Sequence, residues 1–120
     1  MSYVDGFVFA VPKKNRGAYI KMAKEGKRMF TKLGAIDYKE CRLTDATPKY
    51  AELTFPKLMK AKPSEEIWFS YVVYKSKKHR DAANKQMMRD MGEWEKKGKK
   101  MEMPFKMNRM AVGGFEAIVE

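Results

Sequence analysis

A single histidine, His79, and a single cysteine, Cys41, are the only imidazole and thiol in the chain. Within one protomer they make neither a metal-ligand cluster nor a Cys-His or Ser-His-Asp constellation, so no metal or cofactor is expected. His79 falls in the first turn of a helix, on its apolar stripe. There it reads as a half-buried packing residue rather than a heme ligand or general base. Cys41, near a strand end, reads as an inert small hydrophobe. Met87, Met88 and Met91, with Met101, Met103, Met107 and Met110 further on, have spacing that is partly helical and partly strand-like. That pattern suits adaptable core filling better than a soft-metal site. Gly113-Gly114 lies within a strand, where no helix N-terminus is available to receive a phosphate. A bulge or a close backbone approach accounts for the pair. No catalytic residue can be named from these types and spacings, and whether the chain is an enzyme stays open.

Polar residues set among apolar strand neighbours offer more. Asp5 shares a face with Phe7 and Phe9, Arg109 precedes the apolar run of the last strand, and Tyr71 has the parity of Phe69 and Val73. If the terminal strands pair antiparallel, Asp5 and Arg109 lie at opposite ends and form no direct ion pair. A cavity lined by Phe7, Phe9, Phe69 and Tyr71 with a few polar groups would be a small-ligand site; a filled, dry dimer core is the competing account. A second candidate surface is the row Lys21, Lys24, Arg28 and Lys32, with the lysine-rich connector 96–100, which could meet RNA or DNA. Against it, no recognised nucleic-acid motif is present, and the sheet aromatics would face a partner rather than bases.

The elements that position these residues are legible. Tyr3 to Val11 is rich in β-branched and aromatic residues and ends at Pro12, which predicts a strand. Tyr19, Met22, Ala23, Gly26, Met29, Phe30 and Leu33 then recur at helical spacing, with Asn15 as a start signal and Gly34 as a left-handed cap. Ala35 to Arg42 alternates as a second strand. From Leu43 to Glu65 the signal degrades: Tyr50 to Met59 reads as a short helix or as an extended arm interrupted by Pro56. Ile67 to Tyr74 is the clearest strand. Ser76 caps a helix with the stripe His79, Ala83, Met87 and Met91, extending as far as Trp94 if the helix continues, and Gly92 and Gly98 place its end somewhere between them. A last strand runs over roughly 107–119. The order β-α-β-β-α-β is the α+β ferredoxin-like unit, a four-stranded antiparallel sheet.

In such a unit both helices cover one face of the sheet, and the other face should be polar if it meets water. Here it is not. Val4, Val8 and Ala10 stand on one side of the first strand, and Tyr3, Phe7, Phe9 and Val11 on the other. In the third strand Ile67, Phe69, Tyr71 and Val73 oppose Trp68, Val72 and Tyr74. The uncovered face would be a large apolar patch. A second copy, sheet against sheet, covers it economically, giving a homodimeric α+β barrel. The alternative cover is the excursion from Leu43 to Glu65.

At 120 residues and 44% hydrophobic the chain is expected to be one domain, residues 1–120. No apolar run approaches a membrane span, no basic leader precedes Asp5, and the lone cysteine excludes an internal disulfide. Together these place the protein in the cytoplasm with no membrane partner. The net charge of +11 is the compositional outlier; by itself it speaks to solubility and to association with polyanions.

Tyr3-Val-Asp-Gly-Phe-Val8 with Ala10-Val-Pro12, then Phe69-Ser70, Ser76-Lys77, Arg80-Asp-Ala-Ala-Asn84, Met103-Pro-Phe105, Arg109-Met110 and Gly113-Gly-Phe-Glu116, follow one another along the chain. In this order they resemble the YbaA-like family of small bacterial proteins, a domain of unknown function. The resemblance spans essentially the whole chain and implies a protomer of the dimeric α+β barrel superfamily. Members of that superfamily include heme enzymes, cofactor-independent monooxygenases, isomerases and binding proteins, so the fold does not select an activity. The leading expectation is a homodimer binding or weakly transforming an apolar small molecule in a pocket between layers. The alternatives are a basic protein touching RNA or DNA and a structural or interaction module.

Overall fold

The computed structural model of the chain describes residues 1–98 and 102–120. Four strands, β1 (Tyr3–Pro12), β2 (Asp37–Arg42), β3 (Glu65–Tyr74) and β4 (Met110–Glu116), form one antiparallel sheet in the order β2-β3-β1-β4. Helices α1 (Arg16–Lys32) and α3 (Lys77–Lys96) supply the two crossovers, and a short helix α2 (Phe55–Met59) interrupts the excursion between β2 and β3. This is the ferredoxin-like α+β arrangement.

The period-2 pattern of the strands sets the two faces. Phe7 and Phe9 pair with Ser70 and Trp68, whereas Val8 and Gly6 pair with Phe69 and Tyr71. Phe9, Val11 and Trp68 turn toward α1 and meet Tyr19, Ala23 and Phe105 in one buried cluster. Its rings are close-set: Phe9 and Phe105 stack at 5.0 Å, and Tyr19 and Trp68 meet at 5.1 Å. Val72, Tyr74 and Ala83 form a second cluster against Phe30, Leu33 and Tyr38, and Phe7 touches both.

Helix α1 follows its stripe, and Gly34, at φ +104°, ends it in the left-handed conformation that a residue with a Cβ resists. Asn15 precedes the helix without capping it; its side-chain amide donates instead to the Pro104 carbonyl at 2.8 Å. Ser76 does cap α3, accepting from the His79 backbone N–H. The helix ends at Lys96, between Gly92 and Gly98 as expected: Gly92 costs only about 1 kcal/mol inside it, and Gly98, at φ +76°, provides the stop. One expectation for α3 needs correction. His79 is exposed rather than half-buried, since its Nδ1 lies 2.7 Å from Ser76 Oγ in the first turn; Arg80, Ala83 and Met87 face inward.

Pro56 does not interrupt the excursion. It lies in the first turn of α2, where its missing N–H would have had no partner, and Thr54 caps that turn. The final strand begins later than its apolar run, because 107–109 form a single 3₁₀ turn. Gly113 and Gly114 sit in continuous register opposite Gly6 and Asp5, so the pair is a close approach and not a bulge. A Cβ on Gly114 would lie 2.5 Å from the Tyr3 hydroxyl.

Candidate functional site

The face of the sheet away from α1 and α3 is only partly covered. At one end, beside α2, Ala10 and Ile67 are buried. Arg109 ties this arm down: its guanidinium donates to the Met59 carbonyl at 2.7 Å and pairs with Glu65 at 2.7 Å. The excursion, one of the two covers expected from sequence, therefore closes one end of the face. Beyond it Phe69 stays 43% exposed and Phe115 61%. The Phe115 ring lies over Gly6 and Gly113, whose missing side chains leave room for it. Between arm and sheet runs a groove of about 300 Å³, lined mainly by Val8, Cys41, Leu43, Phe55, Ile67 and Phe69, with Arg42, Thr44 and Asp45 at its polar side. Apolar walls with a few polar groups suit a small ligand, at the small end of the usual range.

The proposed cavity of Phe7, Phe9, Phe69 and Tyr71 is not assembled. Antiparallel register puts the first two on the helix side and the last two on the open side. Phe9 is 1% exposed within the aromatic cluster and offers no room. Tyr71 is held at the β2 edge, its hydroxyl donating to Asp37 at 3.3 Å with Lys39 near its ring. Asp5 and Arg109 do lie apart: Asp5 pairs across the sheet with Gly114, and Arg109 precedes Met110, the partner of Phe9. Arg109 is committed to α2 and Glu65. Of the sequence candidates only Phe69 lines the groove; Ile67 was legible as its neighbour on the same strand face, whereas Phe55 and Leu43 carried no signal, because their placement depends on the path of the excursion.

Asp5 belongs to a polar cluster beneath α3. Its carboxylate lies 3.3 Å from Arg80 Nη1, while Arg80 stacks on the Tyr3 ring at 4.6 Å and donates to its hydroxyl at 3.2 Å. Burial raises the Asp5 carboxyl above its ordinary range, an effect that Arg80 opposes and Asp81 reinforces. The neighbouring Tyr74 is fully buried, and its hydroxyl has no hydrogen-bond partner among the described residues. Segments Tyr3–Val8, Arg80–Asn84 and Gly113–Glu116, far apart in sequence, meet here. Sequence parity could not reveal this, since Arg80 reaches Asp5 through helix placement.

Two further carboxylates are sequestered on the helix side. Glu40 accepts from Tyr19 at 2.6 Å and Tyr38 at 2.7 Å. Burial raises its pKa despite both donors, and burial with the Glu40 hydrogen bonds holds both phenols well above their ordinary range. Glu66 accepts three Arg16 bonds at 2.8, 3.1 and 2.6 Å and the Trp68 indole N–H at 3.1 Å; the Arg16 hydrogen bonds hold it low. These groups lock α1 to the sheet. Among the described residues no three His, Cys, Asp or Glu side chains gather as a metal site, and no helix is long and apolar enough to cross a membrane.

Lys21, Lys24, Arg28 and Lys32 stand exposed along α1. Lys99 and Lys100 of the connector, and Met101, lie outside the described residues.

The fold and sequence have clear relatives. A dimeric ferredoxin-like protein from an uncultured marine organism superposes with a TM-score of 0.59 at 9% identity, covering 100% of this chain and 99% of that one. The uncharacterized protein YbaA of Escherichia coli K12 is 42% identical over 122 residues, covering 100% of this chain and 99% of its own. Its Shigella flexneri counterpart matches to the same degree. Residues 2–107 match the family described as protein of unknown function (DUF1428). On both grounds the chain belongs to that family, alongside YbaA.

Proposed function

We propose that the protein acts as a homodimer closed open face to open face into an α+β barrel, and that the groove beneath α2 binds an apolar small molecule. The apolar open face carries this reading. Phe69 and Phe115 are exposed there, with Val4, Val8, Tyr71 and Val73 only partly covered. The protomer is a slab of 44 × 40 × 20 Å, one helix layer on one sheet. Its radius of gyration of 15.6 Å exceeds the roughly 13.6 Å expected of a compact chain of this length. The marine ferredoxin-like neighbour, described as dimeric, supports a second copy as the cover.

Light scattering at micromolar concentration should give the mass of two 14.0 kDa chains, and Phe69→Asp should give one. A monomeric mass for the unaltered protein overturns the dimer. Native mass spectrometry or saturable binding of an apolar fluorescent probe tests the groove, with Phe55→Asp expected to abolish the signal. Neither adduct nor probe binding in an intact dimer would leave a structural or interaction module as the function.

A further inference from the structure

The outward surface of the helix layer is the opposite of the open face in character. Along α1, Lys21, Lys24, Arg28 and Lys32 recur every three or four residues and fall within an arc of about 80° directly opposite the buried Tyr19 and Ala23. They form a row about 16 Å long at 1.5 Å per residue. The row is charged and largely uncompensated: Glu25 is the only acid of α1, and it is taken by Arg28. Beside it, between α1 and α3, runs a furrow of about 610 Å³ lined by Glu25, Arg28 and Lys32 on one wall and Gln86 and Asp90 on the other, over Met29 and Leu33. Its two acids balance its two bases, so the uncompensated charge lies on the outward row of α1 and not in the furrow. On the exposed side of α3, Lys85 and Arg89 stand among Asp81, Asp90, Glu93 and Glu95, so the basic row of α1 is not continued there.

From this geometry we propose a second, independent activity: binding of the phosphate backbone of nucleic acid along the outward row of α1, without base readout. Laid along a duplex axis, a row of this length covers about half a helical turn, so its cations meet the few phosphates that face it. The row offers no ring for bases to stack on, since Tyr19 and Phe30 of α1 both turn into the core, which leaves the phosphates as its partner. The same inward turn argues against a bilayer, because α1 has no free apolar face to insert. The site lies on the side of the sheet away from the open face, so it remains accessible however that face is covered. It does not rest on the proposed dimer or ligand.

The test is fluorescence anisotropy with random-sequence DNA, as duplex and as single strand, at about 50 mM salt and upward. Saturable, sequence-indifferent binding is expected, with a log–log salt slope between about −3 and −4 on duplex. Replacing Lys21, Lys24 and Lys32 by Glu should weaken binding at least about tenfold and flatten the slope. The same change at Lys57, Lys62 and Lys106, which alters net charge equally, should do much less. A triple Gln variant of the first set keeps the comparison informative if charge reversal disturbs folding. Absence of binding at low salt overturns the proposal, as do equal losses in the two charge-reversed variants. Binding to anionic vesicles in place of DNA also overturns it.

Discussion

Tyr74 is the most unusual residue for its surroundings: a fully buried phenol whose hydroxyl is unpartnered among the described residues, next to an acid that burial already disfavours in its charged form. A buried hydroxyl without a partner costs about 1–3 kcal/mol, so Tyr74→Phe should raise stability by about 1 kcal/mol in urea unfolding. A loss of stability instead would mean that the hydroxyl is satisfied in solution. Burial and the Asp5 charge push the phenol up to about 12, against 10.0 for an ordinary tyrosine. The unfolded chain therefore loses this proton first, and stability falls as pH rises from 10.0 to about 12. Tyr74→Phe should make that alkaline decline shallower. Glu66 works in the reverse sense at acid pH. Arg16 holds its carboxyl below the ordinary 4.5, so its contribution is present above that pH and is lost as pH falls through its folded value. Glu66→Gln should cost about 2 kcal/mol at pH 7, through the lost charge-assisted bonds, and reduce the acid sensitivity of the melting temperature.

Among the elements, α2 has the least local reason to exist. It is five residues long, contains a proline, and ends at Lys60 with φ +50°. An isolated helix of that length would not persist in water. Arg109 supplies the missing support by bonding the Met59 and Lys60 carbonyls from across the chain. Arg109→Ala should therefore loosen the arm, seen as faster amide exchange over 54–61 and weaker binding of an apolar probe in the groove, with the sheet unaffected. Unchanged exchange would show that the arm holds its place without Arg109. Helix α3 presents the contrasting case: it is long and well capped, yet of its residues only Ala83 is fully buried, and Met88 is 72% exposed. Its docking relies on the Arg80 cluster more than on an apolar stripe, which is why a stripe argument misassigned His79.

For the molecule as a whole, the two broad faces carry opposite chemistry. One is an apolar sheet, and the other is a helix layer bearing the Lys21–Lys32 row. An uncovered apolar sheet of this kind calls for a cover, and the proposed dimer leaves the basic layers outward on both sides. The alternation of Val4, Val8 and Ala10 against Phe7, Phe9 and Val11 was readable from sequence because side chains on a strand alternate strictly. The element order, the left-handed stop at Gly34 and the cap at Ser76 were readable for the same reason: each is a property of a few neighbouring residues. What meets what was decided by tertiary structure alone. Register sends Phe69 away from Phe7, the excursion brings Phe55 to Ile67, and Arg80 crosses to Asp5. Those pairings depend on loop paths and on the placement of helices over the sheet, and local periodicity carries no information about either.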